Sequence, residues 1–196
     1  ASKMSSENKL WAGMAKETAH QIGTPLSSLL GWLENMKLDD MDANIIAEIQ
    51  KDVDRLQTIA DRFSKIGSEP NLELLNIVEE TKKSFDYLQS RSSKQINFKF
   101  ETNTDIVNLM LNPTLHSWTI ENLVKNAIDA IKGKGSIEVE IKNNENTIQI
   151  LVSDTGKGIP KNQFKKVFEP GFSTKKRGWG LGLSLTQRIV QKYHKG

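Results

Sequence analysis

NLVKNAIDA, residues 122–130, lies within a helical pattern that we expect to extend over residues 112–133. Its two asparagines, Asn122 and Asn126, are four residues apart, so both project from the same face of that helix. Amide oxygens suit a hard cation such as Mg²⁺, which keeps most of its waters and bridges nucleotide phosphates. Two asparagines on a helix are more commonly plain polar surface. The segment therefore indicates a nucleotide site only if other signals accompany it.

The sequence around this helix alternates between helical and extended patterns. Asn112 supplies an N-cap and Pro113 the first helical position, which predicts where the helix begins. The other expected elements are a helix over residues 72–91, strands over 96–102 and 106–110, an antiparallel strand pair over 136–142 and 147–154, and a final helix over 183–194. This order predicts an α+β domain.

Two glycine-containing segments follow the strand pair. DTGKG, residues 154–158, stands where the second strand ends. A carboxylate there can accept a hydrogen bond from an exocyclic amine such as that of adenine, and glycines allow backbone to approach a ligand closely. GWGLGLS, residues 178–184, leads into the final helix, whose first N–H groups suit phosphate oxygens. Each segment alone is equally consistent with a turn or a flexible loop.

The first 68 residues contain two long helical patterns. The second has a heptad stripe: Ile46, Ile49, Val53, Leu56, Ala60 and Phe63. The first has a looser stripe: Trp11, Met14, Thr18, Pro25, Leu29, Trp32 and Met36, widened by Leu26, Leu30 and Leu33. LDDMDAN, residues 38–44, supplies turn and capping residues, so a helical hairpin is expected. Two copies pairing into a four-helix bundle would bury both stripes. A plain dimerisation coiled coil is the alternative.

Composition and charge limit the function classes. GSEPN, residues 67–71, predicts a linker between domains 1–68 and 69–196. The first domain has 8 Lys/Arg and 10 Asp/Glu, a net charge of −2, and the second has 19 and 14, a net charge of +5. A charge of +5 is too mild to indicate nucleic acid but suits a polyanionic small molecule. Without cysteine, disulfides and thiolate metal sites are excluded.

The order of these motifs is more specific than any one of them. An NxxxN helix, a DxGxG turn, FEPGF (168–172) and GxGLG resemble the N, G1, F and G2 boxes of the histidine kinase ATP-binding domain. HQIGTPL, residues 20–26, resembles the phosphoacceptor H box of the same family. The resemblance implies a dimeric four-helix bundle followed by a Bergerat-type α/β sandwich that binds ATP. Members of that family usually continue past the last helix into a closing β-hairpin, which we expect to be lacking here.

The resemblance further assigns residues to an ATP and Mg²⁺ site. It implies that Asn126 binds Mg²⁺, that Asn122 lies in the same site, and that Asp154 recognises adenine. The other residues that it places around the nucleotide are Gly156, Gly158, Phe168, Lys175, Gly178, Gly180, Leu181 and Gly182. Residues 168–177 would form a mobile lid. A basic cluster at a loop tip is usually only solvated, which is the alternative for Lys175.

His20 is the implied phosphoacceptor. It lies two residues past Thr18, about 200° around the helix, so we expect it to face solvent. The implied reaction is in-line attack of its neutral imidazole on the γ-phosphoryl group, followed by transfer to an aspartate of a response-regulator receiver domain. Pro25 offers no N–H to the Gln21 carbonyl, so we expect a loosened or bent turn beside His20. The family also implies a homodimer and a cytoplasmic location, with membrane attachment only through a sensor region absent from this chain.

Three positions distinguish this chain from its relatives or suggest a second activity. Hydrolytic ATPases of the superfamily carry a water-activating glutamate where this chain has Asn122, so hydrolysis is disfavoured. Gln21 stands where most histidine kinases have Glu or Asp; it can orient the imidazole but cannot accept a proton. It favours the alternative of a catalytically weak scaffold that binds a regulator. Thr24 matches the family residue that positions water for regulator dephosphorylation, so phosphatase activity is expected.

Replacing Gln21 by glutamate tests whether a base is missing. We expect Gln21→Glu to raise the autophosphorylation rate at unchanged ATP affinity. A general base contributes about 10²–10⁴-fold, and the gain should lie at the low end because an ordinary imidazole is already mostly neutral at cellular pH. Initial rates of radiolabelled γ-phosphate incorporation at several ATP concentrations measure both quantities. An unchanged or lower rate would show that this position is not a missing base.

Overall fold

The computed structural model describes residues 2–39, 41–67, 69–174 and 180–196, and the chain divides into two compact units, Ala1–Pro70 and Asn71–Gly196. The helices of the described residues are α1 (Ser2–Leu38), α2 (Ala43–Gly67), α3 (Ile77–Ser90), α4 (Pro113–Ala130) and α5 (Gly182–Arg188). The strands are β1 (Glu73–Asn76), β2 (Ile96–Thr102), β3 (Asn108–Leu111), β4 (Gly135–Asn144) and β5 (Thr147–Asp154). A helical hairpin followed by an α+β unit confirms the predicted fold class.

The first unit is the hairpin of α1 and α2. Asp42 begins α2 because its carboxylate accepts a hydrogen bond from the Asn44 N–H at 2.8 Å and its carbonyl accepts one from Ile46. The two helices pack through a buried cluster: Leu26, Leu33, Ile46 and Val53. The capping residues predicted in the 38–44 turn therefore do fix where the second helix starts.

The apolar stripe of α1 is wider than this one interface. Leu26 and Leu33, which the heptad pattern placed beside the stripe, are the residues buried against α2. Three residues predicted within the stripe are exposed instead: Met14, Leu29 and Trp32. The sequence predicts that the stripes are buried by two copies pairing rather than within one hairpin, so this exposure does not contradict it and the pairing stays a prediction.

A three-stranded sheet forms the centre of the second unit. β2 pairs with β4 in parallel, and β4 pairs with β5 antiparallel, with Ile137 opposite Asp154. This confirms the predicted strand pair. Side chains of a strand alternate between its two faces, so Ile137, Val139 and Ile141 all lie on one face of β4, and each is 0% exposed. The other face of the sheet carries charged residues such as Lys99, which pairs with Glu138 at 3.0 Å.

Helices α3 and α4 cover the apolar face of the sheet. The buried cluster that joins them to it comprises Phe85, Leu88, Ile96, Ile120, Val124, Ala127, Ile131, Ile137 and Val139. Burial of each large aliphatic side chain contributes about 1.5–3 kcal/mol. The helix that carries the two asparagines is thus held in place by the main core of this unit.

The helix predicted over residues 72–91 begins later than expected. Residues 73–76 form β1, which pairs antiparallel with β3 so that Leu74 lies opposite Met110. α3 begins only after Asn76, whose side-chain oxygen caps the helix by accepting from the Val78 N–H at 3.2 Å. Pairing with β3 overrides the helical pattern of the leucines, since strand formation depends on a partner distant in sequence.

Other element boundaries also differ from the predictions. β3 covers residues 108–111 rather than 106–110. α4 ends at Ala130 rather than at residue 133, because Ile131 is already extended. The final helix is α-helical only over α5 and continues as a π-helical turn, Ile189–Tyr193. Helix ends are the part of a sequence pattern that local residues specify least.

Two histidines lie where α3, α4 and the end of the chain meet. His116 is 4% exposed, and its Nε2 is 2.8 Å from the Thr81 hydroxyl oxygen. That hydroxyl donates to the Ile77 carbonyl, so Nε2 of His116 must carry the proton of their shared hydrogen bond. His194 accepts through Nε2 from the Asn112 N–H at 3.0 Å. Burial, with a smaller effect of nearby His194, lowers the pKa of His116 to about 4.

This buried histidine makes stability depend on pH. In the unfolded chain His116 binds a proton as the pH falls below about 6.5, whereas in the folded chain it does so only near pH 4. The free energy of unfolding is therefore unaffected by this residue above pH 6.5 and decreases as the pH falls from 6.5 to 4. At pH 4 the loss from this residue is about 3 kcal/mol, from about 1.4 kcal/mol for each unit of pKa difference.

Urea unfolding of the wild type and of His116→Gln at several pH values between 7 and 4.5 isolates this effect. We expect the variant to be less stable at pH 7 but to lose less stability on acidification, because glutamine keeps a donor for Thr81 and does not titrate. Equal pH dependence in the two proteins would show that His116 is not the titrating group.

Candidate functional site

Helix α4 carries the two predicted asparagines on one half-buried face. The side-chain amide of Asn122 donates to the Gly182 carbonyl and to the Thr186 hydroxyl, both at 3.4 Å. These contacts attach α4 to the start of α5, where the last glycine motif lies. Asn126 is half-buried one turn further along α4. Thr186 was not singled out in the sequence, because a threonine inside a helix carries no signal of this pairing.

Residues 154–158, the last residue of β5 and the turn after it, form the segment that the sequence predicts to bind adenine, and they are named the adenine loop for that prediction. The Asp154 carboxylate accepts a hydrogen bond from the Gly156 N–H at 2.7 Å, which closes a tight turn. Thr155 continues the pairing with β4: its N–H donates to the Ser136 carbonyl, and its hydroxyl oxygen accepts from the Ser136 N–H at 2.9 Å. Asp154 itself is exposed, so its carboxylate is accessible to a ligand.

Two glycines of the adenine loop are needed for different reasons. Gly158 has φ +70°, in the left-handed region that favours glycine. Gly156 lies against the last turn of α4: a Cβ added there would be 2.6 Å from the Cβ of Ala130. The Lys157 N–H also donates to the Ala130 carbonyl at 3.2 Å. The loop is therefore attached to the same helix that carries the asparagines.

Gly171 and Gly180 bring two further segments together. The Gly171 N–H donates to the Gly180 carbonyl at 3.0 Å, and both residues have positive φ angles, +86° and +64°. A Cβ on Gly180 would lie 2.4 Å from the Gly171 carbonyl carbon, so no larger residue fits without a shift of backbone. Lys175 and Gly178, also predicted to contact ATP, lie outside the described residues.

The remaining predicted nucleotide residues flank these contacts. Phe168 ends a short 3-10 helix, Lys166–Phe168, and is 40% exposed. Leu181 precedes α5, and its carbonyl accepts hydrogen bonds from the Leu185 N–H and the Ser184 hydroxyl. Four exposed lysines occur between positions 157 and 166 (Lys157, Lys161, Lys165 and Lys166). Lys157 lies in the adenine loop and the other three follow it in the sequence, a positive charge that suits a polyanionic ligand.

His20 lies on α1, in the other unit, and is exposed, as its position around the helix predicts. α1 continues through Pro25, so the proline does not end the helix. Around it, the Thr24 hydroxyl donates to the His20 carbonyl at 3.3 Å and the Ser27 hydroxyl donates to the Gly23 carbonyl at 2.9 Å. A loosened turn at this point stays a prediction.

No helix in the described parts of the chain combines the length and the apolar content needed to cross a membrane.

Two family models match the chain in the predicted order. Residues 11–69 match the His Kinase A (phospho-acceptor) domain. Residues 114–196 match the histidine kinase-, DNA gyrase B- and HSP90-like ATPase. This chain belongs to the sensor histidine kinase family. The family resemblance of the motifs is thereby confirmed, whereas the roles of the individual site residues stay predictions.

Known histidine kinases are similar along most of the chain. Sensor histidine kinase ZraS of Salmonella typhimurium is 30% identical over 188 residues, which cover 92% of this chain and 40% of ZraS. The catalytic domain of histidine kinase ThkA is 29% identical, with a TM-score of 0.59 over 63% of this chain and 82% of that one. ThkA in complex with the response regulator TrrA is 27% identical, with a TM-score of 0.57 over 93% of this chain and 55% of that one. The chain thus spans about two fifths of the length of ZraS.

Proposed function

We propose that this chain transfers the γ-phosphoryl group of ATP to His20 and then to an aspartate of a response-regulator receiver domain. The observation that carries the proposal is the attachment of two nucleotide motifs to α4, through Asn122 to α5 and through Ala130 to the adenine loop. In this assignment residues 1–68 dimerise and accept the phosphoryl group, and residues 69–196 bind ATP. Because the proposed reaction uses ATP and a receiver domain, it places these two units in the cytoplasm.

The residues present fit ATP with Mg²⁺. The amide nitrogen of Asn122 donates to two protein oxygens, so its oxygen is the end of the side chain suited to a cation or a metal-bound water. Asn126 offers a second amide oxygen on the same face and is the proposed Mg²⁺ ligand. When bound, the ion would neutralise charge on the transferring phosphates. Asp154 would accept a hydrogen bond from the adenine amine, since its carboxylate is exposed at the end of β5.

His20 is suited to act as the nucleophile because it is exposed on a regular helix. An imidazole nitrogen forms the new N–P bond while the bond between the γ-phosphorus and the bridging oxygen breaks, and ADP leaves. The attacking nitrogen is the unprotonated one, and the proton that leaves is that of the other ring nitrogen. It passes to solvent, since the neighbouring Gln21 is an amide and cannot accept it. Asn122 supplies no base for water either, so the γ-phosphoryl group is kept for His20 rather than lost to hydrolysis.

The exposed apolar residues of the hairpin support a homodimer. Besides Met14, Leu29 and Trp32 on α1, Leu56 and Ile59 on α2 are at least 39% exposed. An apolar stripe that runs along both helices and is not covered within the hairpin is suited to a second copy, which would complete a four-helix bundle. The solved complex of ThkA with TrrA supports a response regulator as the second partner.

Incubation with γ-labelled ATP and Mg²⁺ tests the proposed function. We expect acid-labile label on the wild type and none on His20→Ala, because only a phosphorylated nitrogen of His20 carries it. Nucleotide binding should be unchanged in His20→Ala, since the residue lies outside the ATP-binding unit. ATP bound without label would favour the scaffold alternative, and rapid release of free phosphate without label would favour a hydrolytic ATPase.

We also propose that the chain dephosphorylates its partner regulator through Thr24. Thr24→Ala should slow dephosphorylation of the regulator by about 10-fold or more while autophosphorylation persists, because the variant lacks the hydroxyl that positions water. Thr24→Ser should retain the activity. Ser27→Ala is the matched control, since the Ser27 hydroxyl makes the same kind of bond to a carbonyl one turn earlier. Equal dephosphorylation by Thr24→Ala and the wild type would contradict this role.

A further inference from the structure

A nucleotide that contacts both Asp154 and Asn126 requires a fixed distance between the adenine loop and α4. Regular structure fixes the start of the loop, because Asp154 is the last residue of β5. At its start, Thr155 is hydrogen-bonded in both directions to Ser136 of β4. The Thr155 hydroxyl also lies close to Gly135, where an added Cβ would be 2.7 Å from its oxygen. The loop is therefore held against β4 at its start.

On its other side the adenine loop lies directly against Ala130. A Cβ added to Gly156 would be 2.6 Å from both the carbonyl carbon and the Cβ of Ala130, which is closer than real Cβ atoms approach. The Lys157 N–H donates to the Ala130 carbonyl at 3.2 Å. The contact thus combines a hydrogen bond with close packing of the backbone of a glycine on the methyl group of an alanine.

Ala130 also has a defined relation to the proposed Mg²⁺ ligand. It is four residues after Asn126, so the two side chains lie on the same face of α4, one turn apart. α4 is itself held by the core through Val124 and Ala127, which are 0% and 3% exposed. A change in side-chain size at Ala130 would therefore displace the loop rather than the helix.

We infer that Ala130 is a positioning residue for the nucleotide: its side chain is small enough for the adenine loop to lie close to the face of α4 that carries Asn126. This inference rests on the proposed binding of ATP at this site. A larger side chain at position 130 moves Gly156 outward, and Asp154 moves with it because the Asp154 carboxylate is hydrogen-bonded to the Gly156 N–H at 2.7 Å. Adenine recognition then weakens, while the chemistry at the phosphates does not change.

Autophosphorylation kinetics of Ala130→Val and Ala130→Gly test the inference. We expect Ala130→Val to raise the KM for MgATP about tenfold with kcat within about twofold of the wild type, which corresponds to the usual effect of overpacking. The preference for MgATP over MgGTP should fall in the same variant. Ala130→Gly should keep the wild-type KM although it lowers the melting temperature, because glycine weakens the helix without displacing the loop.

The two variants separate positioning from stability. If the KM for MgATP rises in both in proportion to their loss of melting temperature, or rises in neither, Ala130 has no positioning role and the inference is overturned. Ala130→Ser adds a single heavy atom and should raise the KM less than Ala130→Val does. It replaces the valine variant in the test if that variant does not fold. If the wild-type protein binds no MgATP, the proposed function itself is contradicted. If Ala130→Val has the same KM as the wild type, only the inference about Ala130 is contradicted.

Discussion

The packing of α4 on the apolar face of β4 is the constraint on which the second unit depends. One side of this helix, including Val124 and Ala127, is buried against strand residues such as Ile137 and Val139. The asparagines lie roughly on the opposite side, about 200° from the core-facing residues in the case of Asn122. A single helix thus serves as a core element and as a support for the proposed nucleotide site. The core fixes the helix, and the helix fixes the segments attached to its other face.

Those attachments explain how motifs far apart in the sequence meet. Asn122 reaches α5 across 60 residues through the Gly182 carbonyl, and Ala130 meets the adenine loop after two intervening strands. Each contact involves a group with few or no side-chain rotamers: a short amide side chain, a methyl group or a glycine. Such contacts resist changes of distance more than contacts between long side chains do, because a well-packed small group has few alternative arrangements. The proposed binding of ATP depends on these fixed distances between the motifs.

The sequence predicted the parts of the fold that are encoded locally. Asn112 and Pro113 begin α4 as expected, and the alternation of apolar residues predicted β4 and β5, because capping and a two-residue period act over short distances. β1 was missed because its stability comes from pairing with β3, more than thirty positions away in the register of Leu74 with Met110. The residues of the candidate site divide in the same way, into those that local sequence indicates and those that depend on distant contacts. Motif spacing indicated Asn122 and Gly156, whereas their partners Thr186 and Ala130 depend on the tertiary fold and carry no signal of their own.

Asn112 has a consequence for how the second unit is connected. Its side-chain oxygen caps α4 through the Leu115 N–H, its amide donates to the Asn71 carbonyl at 2.9 Å, and its backbone N–H donates to His194 at 3.0 Å. One buried residue therefore joins the first residue of the unit, the start of its central helix and the end of the chain. A displacement of the chain at Asn71 would reach the start of α4 through this hydrogen bond as well as β1 through the backbone. The helix that supports the proposed nucleotide site is thus linked to the first residue of the unit without passing through the sheet.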